Sequence, residues 1–191
     1  MSEKISFIHP WLSLVVNLVP FNTQSVLDVG ICYGNTGFLL RRSRHSLSRL
    51  DGIEIWPPYA EDSFNVKIYD RIMVGSCVPI LQKIPDKSYG VVIATELIEH
   101  LDHSDGLIFL GQVERIASEC IIITTPSHFF ESYSFDDNSF QLHKSLWKIK
   151  DFKSRGYSVR GWGFRKDLIS FQSLVYRFPQ LAEILIAKKM I

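Results

Sequence analysis

Three cysteines in 191 residues, Cys32, Cys77 and Cys120, are too few and too scattered to staple a fold. Their odd number argues against a disulfide framework, and no Cys-x-x-Cys or Cys/His ligand spacing offers zinc a site. Charge of one sign is also missing. Lys+Arg 21 against Asp+Glu 20 leave a formal net charge of +1, which excludes a nucleic-acid binder that is basic throughout and leaves a local patch open. Nor is there a long hydrophobic run. The most apolar N-terminal stretch, Trp11 to Val19, is interrupted by Ser13 and Asn17 and closed by Pro20, so it is too short and too polar to span a bilayer. No small-residue cleavage site follows it. The expectation is a cytoplasmic protein without membrane contact, monomeric or homodimeric. Internal repeats, low-complexity tracts and linkers are absent as well, which implies one domain over 1–191.

What the chain does have is core material: 46% hydrophobic residues, with Phe 13, Tyr 7 and Trp 4. A chain of this length can bury roughly 70% of its unfolded surface. Leu12, Val15, Val16 and Val19 recur at helical spacing and make 1–20 an N-terminal helical segment. Short apolar strands then alternate with helices. Strands are expected at Ser25–Val29, Leu50–Ile55, Val66–Ile68, Tyr89–Ala94, Cys120–Ile123, Tyr157–Gly161 and Glu183–Lys188, and helices at Gly34–Arg44, Pro58–Phe64, Ser104–Ala117 and Ser145–Arg155, with a helical turn at Val78–Gln82. This alternation predicts an α/β, Rossmann-like three-layer sandwich: a mainly parallel sheet of about seven strands with helices on both faces. Ligands of such sheets bind beyond the carboxyl ends of the strands, where strand order reverses. The stretch 127–141 is irregular, aromatic and polar, as expected of a lid or substrate loop.

The first strand runs into Val26-Leu-Asp-Val-Gly-Ile-Cys-Tyr-Gly-Asn-Thr-Gly37. A dinucleotide site would carry G-x-G-x-x-G here, but the glycines stand at 30, 34 and 37. Asp28 would also bring a carboxylate close to phosphates, so a ligand with a cationic amino group and no phosphate fits better. Glu54 ends the second strand about 20 residues beyond the turn, the offset at which an acid accepts hydrogen bonds from a ribose diol.

These residues resemble the first motif of class I S-adenosylmethionine-dependent methyltransferases, acid-x-Gly-x-Gly-x-Gly, which falls on Asp28, Gly30, Cys32 and Gly34, with Cys32 where the family usually has glycine. The resemblance implies S-adenosyl-L-methionine as cofactor. Glu54 would hold its ribose, with Ile55 and Trp56 beside the sugar and adenine. Gly75 and Ser76 stand at the family's Gly-Asp turn, Ser76 in place of the acid that receives the adenine amino group. Gly90 similarly stands where the fourth strand often has Asp. Thr95-Glu-Leu-Ile-Glu-His-Leu101 is similar to the family variant with Glu-His-Leu after the fourth strand, which would put Thr95, Glu96 and Leu97 beside the transferable methyl and Glu99 and His100 one turn further on. Ile122-Ile-Thr-Thr-Pro126 resembles the fifth-strand motif, and the likeness covers about residues 24–165. Trp56-Pro-Pro-Tyr59 is similar to the Asn-Pro-Pro-Tyr motif of amino-methylating enzymes, but it follows the second strand and lacks the Asn.

A sulfonium methyl is already electrophilic, so alignment of the acceptor carries most of the catalysis. Where the acceptor must lose a proton, His100, Glu96 or His143 would be the catalytic base, His100 first. No metal cluster is evident in the sequence, so a metal-assisted mechanism of the catechol type is disfavoured and no metal ligand is expected. The favoured acceptor is a small molecule. Residues 141–167 interleave Lys144, Lys148, Lys150, Lys153, Arg155, Arg160, Arg165 and Lys166 with aromatics, so nucleic acid is the less favoured partner. The competing function is a non-catalytic, methyltransferase-like partner subunit, motivated by Cys32, Ser76 and Gly90.

Overall fold

The computed structural model describes residues 10–129, 131–132, 136–164 and 182–191. Seven strands pair in the order β3-β2-β1-β4-β5-β7-β6. They are β1 (Ser25–Val29), β2 (Arg49–Glu54), β3 (Arg71–Val74), β4 (Tyr89–Thr95), β5 (Ala117–Pro126), β6 (Ser158–Phe164) and β7 (Ala182–Met190). The first five run parallel, and β7 is antiparallel to both of its neighbours, β5 and β6.

Alternation along the strands divides the core into two layers. Val26, Val91, Ile93, Cys120 and Ile122 pack with Trp11, Val15 and Val16 of α1 (Pro10–Leu18) and Leu40 of α2 (Asn35–Ser43). Leu27, Val92, Ala94, Ile121 and Ile123 pack on the other face, with Leu81 of α5 (Cys77–Gln82) and Phe109, Leu110 and Val113 of α6 (His103–Ile116). Because β4 is covered on both sides, it reads as a continuous apolar run, whereas β1 carries the buried Asp28 among its apolar residues. Among the described residues, no helix is long and apolar enough to cross a membrane.

Two elements differ from expectation. Val66–Ile68 is not a strand but the end of α4 (Ser63–Ile68), which follows the single-turn α3 (Pro57–Ala60). The Asp62 side chain caps α4 by accepting the Phe64 N–H at 2.9 Å, and this local cap overrides the β-branched pair. The strand lies just downstream, as β3. Residues 145–148 likewise precede rather than join α7 (Ile149–Lys153). Trp147 is completely buried, and its indole N–H reaches both the Ile98 carbonyl at 3.2 Å and Ser145 Oγ at 2.9 Å. Those bonds hold 145–147 against the loop after β4.

The chain goes from β1 outward to β2 and β3, then returns to pair β4 on the other side of β1. Strand order therefore reverses between β1 and β4, and a crevice opens beyond their carboxyl ends.

Candidate active site

The turn after β1 is tight. Gly30, Cys32 and Gly34 all have left-handed backbone, with φ of 79°, 46° and 73°. At Cys32 a side chain bears a conformation that glycine adopts without strain. Glu54 holds the turn in place: its Oε2 accepts the Cys32 N–H at 2.9 Å and its Oε1 accepts the Trp56 N–H at 2.9 Å. Burial pushes the Glu54 carboxyl up, opposed by these backbone donors. Burial, with the Glu54 charge behind it, also pushes the Cys32 thiol up to about 12, so Cys32 is no nucleophile at neutral pH. Gly34 is fixed from outside, since a Cβ there would collide with Asn65 Oδ1.

A cavity of about 700 Å³ opens from this turn, a size suited to a cofactor-sized ligand. Gly30, Cys32, Glu54 and Ile55 line one end, and Gly75, Ser76 and Cys77 form a side wall. Thr95, Glu96 and Leu97 line the middle, with His100, His143 and Lys144 at the far end and Ser132, Asn138, Phe140 and Gln141 as a further wall. The 127–141 stretch is tied to the glycine turn. Asp136 Oδ2 accepts hydrogen bonds from Tyr33 at 2.7 Å and Tyr59 at 3.0 Å, and Gln141 Nε2 donates to Tyr59 Oη at 3.1 Å.

Most of the residues singled out from sequence thus share one cavity, whereas Asp28, Gly34, Trp56, Gly90 and Glu99 do not line it. Asp28 is fully buried on the α1/α2 side of β1, where Tyr69 Oη donates to its Oδ2 at 2.6 Å. Its Oδ1 has no partner. Burial pushes this carboxyl up to about 7, with Tyr69 pulling it down and the Glu54 charge adding to the rise.

The far end of the cavity gathers a set that linear spacing does not display. Ligand atoms of Glu99, His100 and His143 all lie within 4.8 Å of one another. The Glu99 carbonyl accepts the N–H groups of Lys144 at 2.8 Å and Ser145 at 3.0 Å, and this pairing carries His143 to His100, ring centroids 4.9 Å apart. His100 Nδ1 contacts the Leu142 carbonyl at 3.2 Å; with that nitrogen as donor, Nε2 keeps its lone pair. Burial, reinforced by His143, holds the His100 ring down at about 4, so it is neutral at physiological pH. Glu96 has left-handed backbone, φ 48°, and burial pushes its carboxyl up to about 7. Glu99 is raised further, by burial and by the Glu96 charge, and its Oε1 is buried with no hydrogen-bond partner. Two neighbouring carboxyl groups, that of Glu99 buried with an orphaned oxygen, and a neutral imidazole fit a hard or borderline divalent cation, whose charge would favour their ionised form. The signal in the sequence was Glu-x-x-Glu-His at 96–100. His143 is supplied by tertiary pairing.

A glycine turn after β1, an acid at the end of β2 and the post-β4 segment, set on this sheet, match the class I S-adenosylmethionine-dependent methyltransferase fold. Solved structures agree. The methyltransferase HEN1, described as acting on small RNA, superposes with a TM-score of 0.66 at 16% identity, over 98% of this chain and 26% of that one. A methyltransferase solved with the Haloferax volcanii activator Trm112 gives 0.64 at 14% identity, over 94% and 88%. Among curated proteins, a small RNA 2'-O-methyltransferase of Tetrahymena thermophila is 27% identical over 162 residues, 73% of this chain. The chain spans 36% of that relative's length. No family model matches.

Proposed function

We propose that this domain transfers a methyl group from S-adenosylmethionine to a ribose 2'-hydroxyl of RNA. One observation carries the reading: His100 and His143 line the same cavity as Gly30, Cys32 and Glu54, together with Thr95, Glu96 and Leu97, and a carboxylate oxygen of Glu99 lies within 4.8 Å of both histidines. The Tetrahymena relative is named for this reaction, which favours RNA over the small-molecule acceptor expected from sequence.

The cofactor supplies a methyl already activated on sulfonium. Glu54 presents its carboxylate to the ribose diol while its outer bonds keep the Cys32 turn in shape, and Ser76 lies on the adenine side. Glu99, His100 and His143, with Glu96 adjacent, would hold the cation, whose chemistry is to lower the pKa of an acceptor hydroxyl. With the His100 lone pair engaged by the cation, Glu96 is the group lining the cavity suited to receive the hydroxyl proton. Hydrogen bonds among Tyr33, Tyr59, Asp136 and Gln141 hold the 136–141 stretch beside the glycine turn, with Tyr59 and Gln141 lining the cavity.

Exposed lysines that follow the cavity-lining Lys144 along the chain suit a polyanion. Lys144, Lys148, Lys150 and Lys153 are all exposed, and Lys144 reaches the cavity wall. By contrast Arg155 and Lys189 are both spent on Glu114, at 2.8 and 3.4 Å. Arg165 and Lys166, also part of the basic stretch in the sequence, lie outside the described residues.

Labelled-methyl transfer to an RNA and to a DNA of the same sequence is the test, with label expected in the RNA alone. Label in small molecules or protein and none in RNA would replace the acceptor. Undetectable S-adenosylmethionine binding at millimolar ligand would favour the non-catalytic partner-subunit reading instead.

A further inference from the structure

Strand β5 ends in two threonines that touch the carboxyl groups of Glu96 and Glu99 separately. Thr124 Oγ1 donates to Glu96 Oε1 at 2.8 Å and accepts the Glu96 N–H at 3.1 Å, while the Thr124 carbonyl also accepts that N–H at 3.2 Å. Thr125 Oγ1 donates to Glu99 Oε2 at 3.0 Å, and Glu99 Oε1 is left without a partner. Both threonines are buried, at 0% and 1% exposure. Successive residues of a strand point to opposite faces, so adjacent side chains can address acids three residues apart in the loop after β4. A hydroxyl has one proton to give. Each threonine spends it on a carboxylate, although the backbone alone would complete the strand.

We infer that Thr125 and Thr124 are positioning residues for cation binding, fixing Glu99 and Glu96 so that the free oxygen of Glu99 faces His100 and His143. Thr125 acts by occupying Oε2, which leaves Oε1 as the oxygen offered to the histidines. Thr124 acts by clamping Glu96 at both its backbone and its carboxylate, which keeps the left-handed residue from relaxing out of the cavity. The inference rests on the cation reading of the proposed function, and it concerns residues that do not themselves touch cation, cofactor or acceptor. Outer partners of this kind usually set metal affinity by tenfold to a hundredfold on the order of magnitude.

Calorimetric titration of the full chain with Mn²⁺, without cofactor, provides the test. The parent chain is expected to bind one ion. Thr125→Val, close in shape and lacking the hydroxyl, should bind at least about tenfold more weakly, Thr124→Val should also weaken binding, and Thr125→Ser should restore parental affinity. Rescue by serine separates orientation from packing, because serine returns the hydroxyl while leaving the methyl cavity. If the valine variant does not fold, as judged by circular dichroism, Thr125→Ala takes its place, and Ala against Ser makes the same comparison. Parental affinity in a folded Thr125→Val or Thr125→Ala overturns the inference and leaves the cation site standing. A parent chain that binds no Mn²⁺ removes the cation reading and this inference together.

Discussion

The carboxylate of Glu54 grips the backbone N–H of Cys32 from the end of the neighbouring strand, at 2.9 Å. The acid therefore does two things at once. It closes the turn after β1 around a non-glycine residue at φ 46°, and it faces the cavity where a ribose would lie.

Glu54→Ala is accordingly expected to weaken S-adenosylmethionine binding at least about tenfold, by loss of the diol acceptor and loosening of the turn. Glu54→Gln, which keeps one carbonyl oxygen for Cys32, should fall between. Calorimetry with the cofactor reads both, and unchanged affinity in the alanine variant would mean the ribose binds elsewhere.

Chelation makes the second prediction. Methyl transfer should fall to background in excess chelator and return with Mn²⁺ or Mg²⁺, and His143→Ala should lose transfer while retaining cofactor binding. Full activity in chelator would put the acceptor's proton on His100 or Glu96 unaided.

The third concerns stability and pH. Asp28 is lifted from an ordinary 3.8 to about 7 in the folded chain, chiefly by burial. Between those values the native state holds a proton that the unfolded chain has released, so stability falls as pH rises through the window, and the penalty is fully present above it. Glu96 contributes in the same direction. Asp28→Asn should therefore flatten the loss of stability between pH 4 and 7 by as much as a few kcal/mol. Urea denaturation of both proteins at several pH values measures it, and parallel curves would count against a protonated Asp28.

For the lysines, Lys150→Ala combined with Lys153→Ala should weaken RNA binding about equally across sequences and flatten its salt dependence. The log–log slope should drop by about 0.9 for each phosphate no longer neutralised on a duplex and by about 0.7 on a single strand. An unchanged slope would move the RNA track to another face.

The strand at Tyr89–Ala94 was legible because burial on both faces makes it continuously apolar and no solvent face blurs such a pattern, and Val26–Val29 was legible despite Asp28 because its other residues are apolar and the glycine turn bounds it. Val66–Ile68 misled because β-branched residues carry a strand bias that a local Asp62 cap overrode. In the site, Cys32, Glu54 and Thr95–Leu97 were readable because strand-to-loop junctions fix where such residues point. Asp28 reads as a cofactor acid by position, but alternation along β1 turns it toward Tyr69. His143 belonged to no local pattern. Its place follows from backbone bonds between residues 144–145 and Glu99, which leave no trace in composition or period.

Strand β7 lies inside the sheet, between β5 and β6, although it is the last strand formed in chain order. Among the described residues β6 pairs only with β7, so it has no sheet neighbour, and the edge of β5 stays open, until residues 182–190 are in place. The half of the sheet carrying the glycine turn and Glu54 can assemble first, from strands close in sequence. The end bearing Thr124 and Thr125 is finished only when the latest stretch of chain threads in beside it, as the slow closure of long-range pairings requires.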